Sequence, residues 1–443
     1  MEPVFQVANA LQVVLTTVAN HLAKSTGVIQ RERAFNGASL AQTFVLGWLN
    51  NPRATLEELA QMAAACGSPV TAQSIFERLN GKLAHFFREL FEAATAQVIA
   101  ARGVTIELLQ RFNGVHLLDS TVIRLPDAFA ALFPGCGGGN GIQTHAAVKF
   151  QVRMNLTDGR IDGPFAEAGK ASDQSSCVQH LPLLAGALRI ADLGYFSLRV
   201  LADLAASCVF WISRIQVQTT VLDTQGKRLD LYRWLTHQPT SWVDRPILLG
   251  AEERLPCRLL AVRCPPEIVR RRLAALQKDA KRRCRPLSKA QRQSCHWTIL
   301  VTNVPQDRLT IREAIVLYRA RWQIELLFKL WKQQGLVDES HYGREEAKLA
   351  EMYAKFIGLI IQHWLLLISV WAHADRSLVK ASQAIRKHVV LLVAALQTRT
   401  TFVVAIEQIQ QTLAVAARVD PRRTRPNTHQ LLENPELLDY DIP

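Results

Sequence analysis

Two apolar, strand-like segments each run into an aspartate. In Val115-His116-Leu117-Leu118-Asp119-Ser120-Thr121-Val122-Ile123 the acid follows Leu117-Leu118, and in Leu188-Arg189-Ile190-Ala191-Asp192 it follows Ile190-Ala191. Aliphatic and β-branched composition marks both segments as strands. A carboxylate set into a buried strand costs several kcal/mol unless it is hydrogen-bonded, paired or bound to a cation. Each acid must therefore accept backbone hydrogen bonds at a strand end or meet a cation, and the residues alone leave both readings open.

The texture around these segments divides the chain. Up to about residue 110 it reads as helical, with apolar residues at helical spacing from Val4 to Leu49. Thr55 and Glu58 form a capping box ahead of Leu56, Leu59 and Met62. A break at Cys66-Gly67-Ser68-Pro69 precedes a second helix from about Thr71 to Leu79. Helix, glycine turn, helix is the pattern of a helix-turn-helix, and equally of any two packed helices. From Gly114 strands take over, with a second at Ala146 to Leu156. The connection Gly135-Cys136-Gly137-Gly138-Gly139-Asn140-Gly141 lacks the phase of a phosphate-binding loop and reads as a flexible link. Helical residues are expected around Gln174 to Leu184, then the strand ending at Asp192, a helix at Leu198 to Ala206 and a strand at Cys208 to Ile215. Alternation of this kind is an α/β core. Short strand-like pieces (Thr219 to Leu222, Pro246 to Leu249) and a basic stretch interrupt it before a strand at Trp297 to Val304 and a long helix from Arg312 to about Gln334. The remainder, to about Arg418, is helical, with Arg422, Arg423 and Arg425 in a polar tail.

Charge narrows the class of partner. With 52 Lys+Arg against 38 Asp+Glu, the 443 residues carry +14. Between Arg263 and Arg292 eleven Lys/Arg face two acids, Glu267 and Asp279, which is too one-sided for salt-bridge lacing and favours an anion-facing surface. The same stretch lacks the apolar face of a membrane-surface helix. The apolar run Phe356 to Ala372 is shorter than the ~20 residues of a membrane span and has Gln362 and His363 at its centre, so a buried helix is expected. No secretory leader is recognisable at the start. Eight cysteines without a CxxC pair exclude a disulfide scaffold, and His296, Cys295 and Cys284 miss zinc-site spacing.

The long helix carries the most specific pattern. At ~100° per residue, Tyr318, Arg321, Glu325 and Lys332 fall within about 60° of one another, beside the apolar arc of Ile324, Leu327, Phe328 and Trp331. An intrahelical Arg321–Glu325 pair explains part of this. The spacing Tyr318-x₂-Arg321-x₃-Glu325-x₆-Lys332 also resembles the YREK signature of bacterial insertion-sequence transposases, the IS-four group of the DDE superfamily. Asp119 in Leu118-Asp119-Ser120-Thr121 and Asp192 in Asp192-Leu193-Gly194-Tyr195-Phe196 are similar to the two aspartate motifs of that family, in the same order. One departure is Leu193, where the family often has Arg.

The resemblance spans about residues 114–335 and implies an α/β, RNase H-like catalytic core. It implies a helical DNA-binding domain over 1–110, the first part of the core over 111–215, and an insertion domain over 216–295, β-rich and then basic and helical. The second part of the core would occupy 296–345 and a helical region with a basic tail 346–443. Asp119, Asp192 and Glu325 would then be the catalytic acids, holding two Mg²⁺ ions for which Mn²⁺ substitutes. Tyr318, Arg321 and Lys332 would contact the DNA backbone. Trp297 resembles the tryptophan that stacks on a flipped base in relatives, with core packing as the alternative. The expected partner is double-stranded DNA, at transposon ends and target, bound by a homodimer in the bacterial cytoplasm with no membrane involved. Competing expectations are an RNase H-like nuclease without strand transfer, and a domesticated or inactive copy that only binds DNA.

Overall fold

A computed structural model describes residues 3–101, 103–137, 145–371, 373, 375–396, 399–418 and 426–438. Gly138 to Gly141 of the glycine-rich connection and the tail residues Arg422, Arg423 and Arg425 lie outside the described residues. The chain divides into two units. One comprises Met1–Val104, Ser120–Ala171 and Gln323–Asp420, the other Thr105–Asp119, Ser172–Trp322 and Pro421–Pro443.

The first unit is mainly helical. Helix Gly37–Asn50 starts at a capping box between Asn36 and Ser39 and buries nearly every residue. A Cβ at Gly37 would lie 2.4 Å from the carbonyl oxygen of Ala19, so only glycine permits the approach of the preceding helix. Thr55 and Glu58 form the expected capping box for helix Leu56–Ala65. The chain then turns through Gly67 at φ +80° into helix Ala72–Arg78, capped by Thr71. Helix Glu345–Ser369 runs for 25 residues, longer than the apolar run suggested, and is long and apolar enough to cross a membrane. Its apolar window is wholly buried within the protein. The polar groups at its centre are paired: Ser382 Oγ donates to Gln362 Oε1 at 2.8 Å, and the His363 Nε2–H donates to the Gly159 carbonyl at 2.9 Å. A buried ion pair, Lys355 Nζ to Glu351 Oε1 at 2.7 Å, lies about two to three turns earlier.

This unit also holds the second half of strand β1 (Val115–Arg124) beside β2 (Ala147–Asn155), with β3 (Ile161–Ala168) as the outer strand. β2 is buried along its whole length, because Lys149, Gln151, Arg153 and Asn155 point to a face where partners exist. Arg153 Nε, for example, reaches Asp162 Oδ2 at 2.7 Å.

The second unit is a mixed α/β structure built on a sheet. It contains the first half of β1, then β4 (Leu188–Ala191), β5 (Phe210–Arg214), β6 (Val221–Leu222), β7 (Arg228–Leu229), β8 (Trp242–Leu249), β9 (Leu255–Arg263) and β10 (Trp297–Thr302). Their order across the sheet is β1-β4-β5-β10-β9-β8-β6-β7. β1, β4 and β5 are parallel, with the crossover helix Leu198–Ala206 joining β4 to β5, and every later pairing is antiparallel. The segment between β5 and β10 thus extends the same sheet. Trp211, Leu235, Leu249, Leu259, Trp297 and Val301 lead its core.

Two elements depart from expectation. The helix expected around Gln174 to Leu184 is reduced to 3₁₀ turns at Asp173–Ser175 and Cys177–His180. The side chains of Ser172 and Ser176 accept from nearby backbone N–H groups there, which competes with a continuous helix. The long helix is also broken. Ile311–Ala320 ends as the Arg321 N–H bonds Tyr318 O at 3.2 Å, the helix resumes at Trp322–Lys329, and a π-turn follows at Leu330–Gln334.

Candidate active site

Asp119 and Asp192 owe their positions to strand register. β1 and β4 run parallel with Leu118 opposite Ala191. The next residues along are Asp119 and Asp192, so both acids stand at the same level on strands ~4.8 Å apart. Register extends the row. Ile190 pairs with Ile212 of β5, which brings Arg214 level with Asp192. Acid, acid and cation therefore occupy adjoining strands where the parallel pairing ends, midway along β1 and at the carboxyl ends of β4 and β5, the side on which parallel strands of α/β sheets bind ligands.

The helix Ile311–Ala320 brings two further groups to this edge. It starts at a capping box of Thr310 and Glu313 and buries Ala314, Ile315, Leu317 and Ala320. Arg321, just past its end, sends Nη1 to Asp119 Oδ2 at 2.8 Å, with side chains only 16% and 17% exposed. Tyr318 lies under the Arg321 guanidinium, 6.0 Å from ring centroid to the charged carbon. Its phenol is pushed up to about 12, first by burial and then by the negative charge of Asp192, while Arg214 and Arg321 pull the other way. Among the described residues the buried Tyr318 hydroxyl has no acceptor within hydrogen-bonding distance. A phenol kept protonated, with no acceptor beside it, is a donor waiting for one.

The remaining predicted residues are placed differently. Glu325 is half-buried in Trp322–Lys329 and belongs to the first unit, as does Lys332. Lys332 Nζ donates to the carbonyl of Val122 at 3.0 Å, on the second half of β1. Lys332 lies within the π-turn Leu330–Gln334, where an extra residue per turn departs from α-helical spacing. Trp297 is 4% exposed in the β10 core, with the Arg263 guanidinium 4.8 Å above its ring, which is the packing arrangement. The exposed aromatic near the site is instead Trp322, at 45%, directly after Arg321. Sequence reading missed Trp322 and Arg214; a large aromatic next to a site cation was the available signal for the first, and strand register for the second.

The donor set suits a hard cation. Mg²⁺ characteristically takes one or two carboxylates and fills its octahedron with water and phosphate oxygen, and Asp119 with Asp192 offer that pair. Among the described residues, no group of three or more His, Cys, Asp or Glu side chains is gathered as a complete metal cage.

Comparison with known proteins identifies the family. The sequence matches the family described as transposase DDE domain over residues 111–361. The transposase for insertion sequence element IS231F of Bacillus thuringiensis subsp. israelensis is 25% identical over 363 residues, covering 77% of this chain and 75% of that protein. That for IS231C of Bacillus thuringiensis subsp. berliner is 26% identical over 419 residues, 88% of this chain and 86% of the relative. That for IS421 of Escherichia coli is 26% identical over 356 residues, 76% and 88% of the two chains. The family implies an RNase H-like core, DNA as the substrate and divalent metal as the usual cofactor, and its members are DNA-cutting and DNA-joining enzymes. With more than half of its length inside the match, this chain belongs to the transposase DDE domain family.

Proposed function

We propose that this transposase excises and integrates its own insertion element by cleaving DNA at the terminal inverted repeats and joining the freed 3′ ends to a target. The reading is carried by one observation: Asp119 and Asp192 stand level on adjacent parallel strands, just past the last paired residues Leu118 and Ala191, with Arg321 paired to the first. Glu325 is the third acid of the reading, from the helix that follows Arg321. Asp119 and Asp192 would hold Mg²⁺, or Mn²⁺ in its place, with Glu325 completing the set. When bound, the metal supplies a Lewis acid for in-line displacement at phosphorus.

The protein's own groups then have separate tasks. Arg321 and Arg214 place positive charge where a scissile phosphate must sit, and positioning with charge neutralisation is most of what phosphoryl transfer needs from a protein. The Tyr318 hydroxyl, protonated and lacking an acceptor, donates to a phosphate oxygen. Lys332 is the outer phosphate contact. Exposure at Trp322 favours that ring over the buried Trp297 as the platform for an unstacked base, which is where a hairpin pathway would need one. Two ends must be held together to be joined, so the working form is a homodimer, acting in the bacterial cytoplasm. The helix pair Leu56–Ala65 and Ala72–Arg78 is the candidate reader of the repeats.

The test is Asp119→Asn. It should retain binding to a duplex bearing the element end and lose Mg²⁺-dependent nicking by at least a thousand-fold. Nicking at the wild-type rate would remove Asp119 from the chemistry and the proposal with it.

A further inference from the structure

The basic stretch before β10 takes no part in the site above. Its helix, Pro266–Arg282, is fixed by one face: Ile268, Val269 and Leu273 pack with Cys264, and Arg272 donates to the Trp297 carbonyl at 3.2 Å and to Thr298 Oγ1 at 3.0 Å. Local acid is used up as well, since Asp279 binds both Arg282 at 2.7 Å and Arg283 at 3.0 Å. Glu267 lies in the first turn, at the far end of the helix.

The helix ends in a Schellman turn. Cys284 sits at φ +50°, its N–H bonds Lys281 O at 3.2 Å, and the Arg285 N–H bonds Ala280 O at 3.0 Å. That turn folds Arg285 back towards Lys281, and helix Lys289–Ser294 adds Arg292. The result is an open cleft of about 360 Å³ whose lining includes Lys281, Cys284, Arg285 and Arg292 beside the neutral Gln277, Ala280, Pro286 and Leu287. None of its three cations has a carboxylate partner among the described residues, and no acid lines the wall.

We propose that this cleft binds the phosphate backbone of duplex DNA without regard to sequence. It would serve as a second holding point besides the reaction centre. The occupant follows from charge complementarity and from the fact that this enzyme's substrate is a polyanion; the inference thus rests on the reading of the chain as acting on duplex DNA. Lys and Arg that contact phosphates displace counterions, so each contributes ~0.9 to the slope of log K against log salt.

Cys284 reports occupancy directly, and Cys208, exposed at the opposite, amino-terminal end of β5, is the reference thiol. The full chain is alkylated with iodoacetamide and mapped by peptide mass, alone and with saturating 40-base-pair duplexes, one bearing the element end and one not. Both duplexes should slow alkylation of Cys284 at least ten-fold and leave Cys208 unchanged. Triple substitution of Lys281, Arg285 and Arg292 by Gln should abolish the protection and reduce the salt slope of binding by roughly 2.7, with unchanged thermal unfolding. Absence of protection overturns the proposal. So does protection by inorganic phosphate equal to that by duplex, or protection confined to the end-bearing duplex. Asp119→Asn separates the two readings: it should keep Cys284 protection, and if it still nicked DNA the reaction-centre reading would fail while the cleft stood.

Discussion

Replacing Arg321 by Ala tests the centre without touching an acid. The guanidinium and the Asp119 carboxylate are joined at 2.8 Å and both are more than four-fifths buried. Unit charges about 4 Å apart attract by ~4 kcal/mol at an effective dielectric of about 20. Hydration of the exposed part and the cost of burying both ions reduce this to a net coupling of ~1–3 kcal/mol. A divalent cation that binds Asp119 must displace this partner and give up the same coupling. Removing Arg321 should therefore tighten Mn²⁺ binding to the DNA-free protein by about 5-fold to 150-fold, the same free energy expressed as a ratio. Electron paramagnetic resonance of free Mn²⁺ measures this without any turnover. In metal-free buffer Arg321→Ala should unfold at a lower temperature than wild type, because Asp119 is left uncompensated, and added Mg²⁺ should restore more stability to the variant than to the wild type. End nicking should fall all the same, since the phosphate has lost a cation. Equal Mn²⁺ affinity in the two proteins would refute the reasoning: Arg321 and the metal would not be competing for one carboxylate.

The other predictions concern the long buried helix. Burial drops His363 from its ordinary 6.5 to about 4, while the ring donates to Gly159. Below pH 6.5 the unfolded chain takes up a proton that the folded chain refuses, so this site's stability is intact above that pH and is lost progressively towards pH 4, by about 3 kcal/mol. Urea unfolding across that range should show a shallower acid loss in His363→Gln, and parallel curves would sink the assignment. Glu351→Gln leaves Lys355 buried without its partner, although Nζ still donates to the carbonyls of Leu336 and Glu339 at 2.9 and 3.0 Å. The expected cost is ~3–5 kcal/mol, and Glu351→Leu with Lys355→Met should recover most of it. A double variant as unstable as the single one would show that the ion pair is not the cause.

Which parts of this molecule were legible in advance follows from how local each determinant is. The helix Leu198–Ala206 and strands β1, β2 and β4 carry their own periodicity, and the Thr55–Glu58 capping box is a four-residue signal. β3 escaped notice because Gly163-Pro164 reads as a turn; proline is tolerated there because β3 is the outer strand, where a missing N–H costs no ladder bond. The break at Arg321 has no glycine or proline to announce it, and Tyr318-Arg319-Ala320-Arg321-Trp322 looks like uninterrupted helix. Its cause is tertiary: the chain gives up an i to i−4 bond where Arg321 turns onto Asp119. The same holds for the site. The family resemblance proposes three acids and their neighbouring cations, whereas Arg214 could not be named, because its place beside Asp192 depends on a β4–β5 register that a sequence does not encode locally. A one-residue slip in that register would turn Arg214 to the opposite face of the sheet. Electrostatics at the edge therefore depends on the packing of Trp211 and Ile212 in β5, which holds the register, as much as on the charged residues themselves.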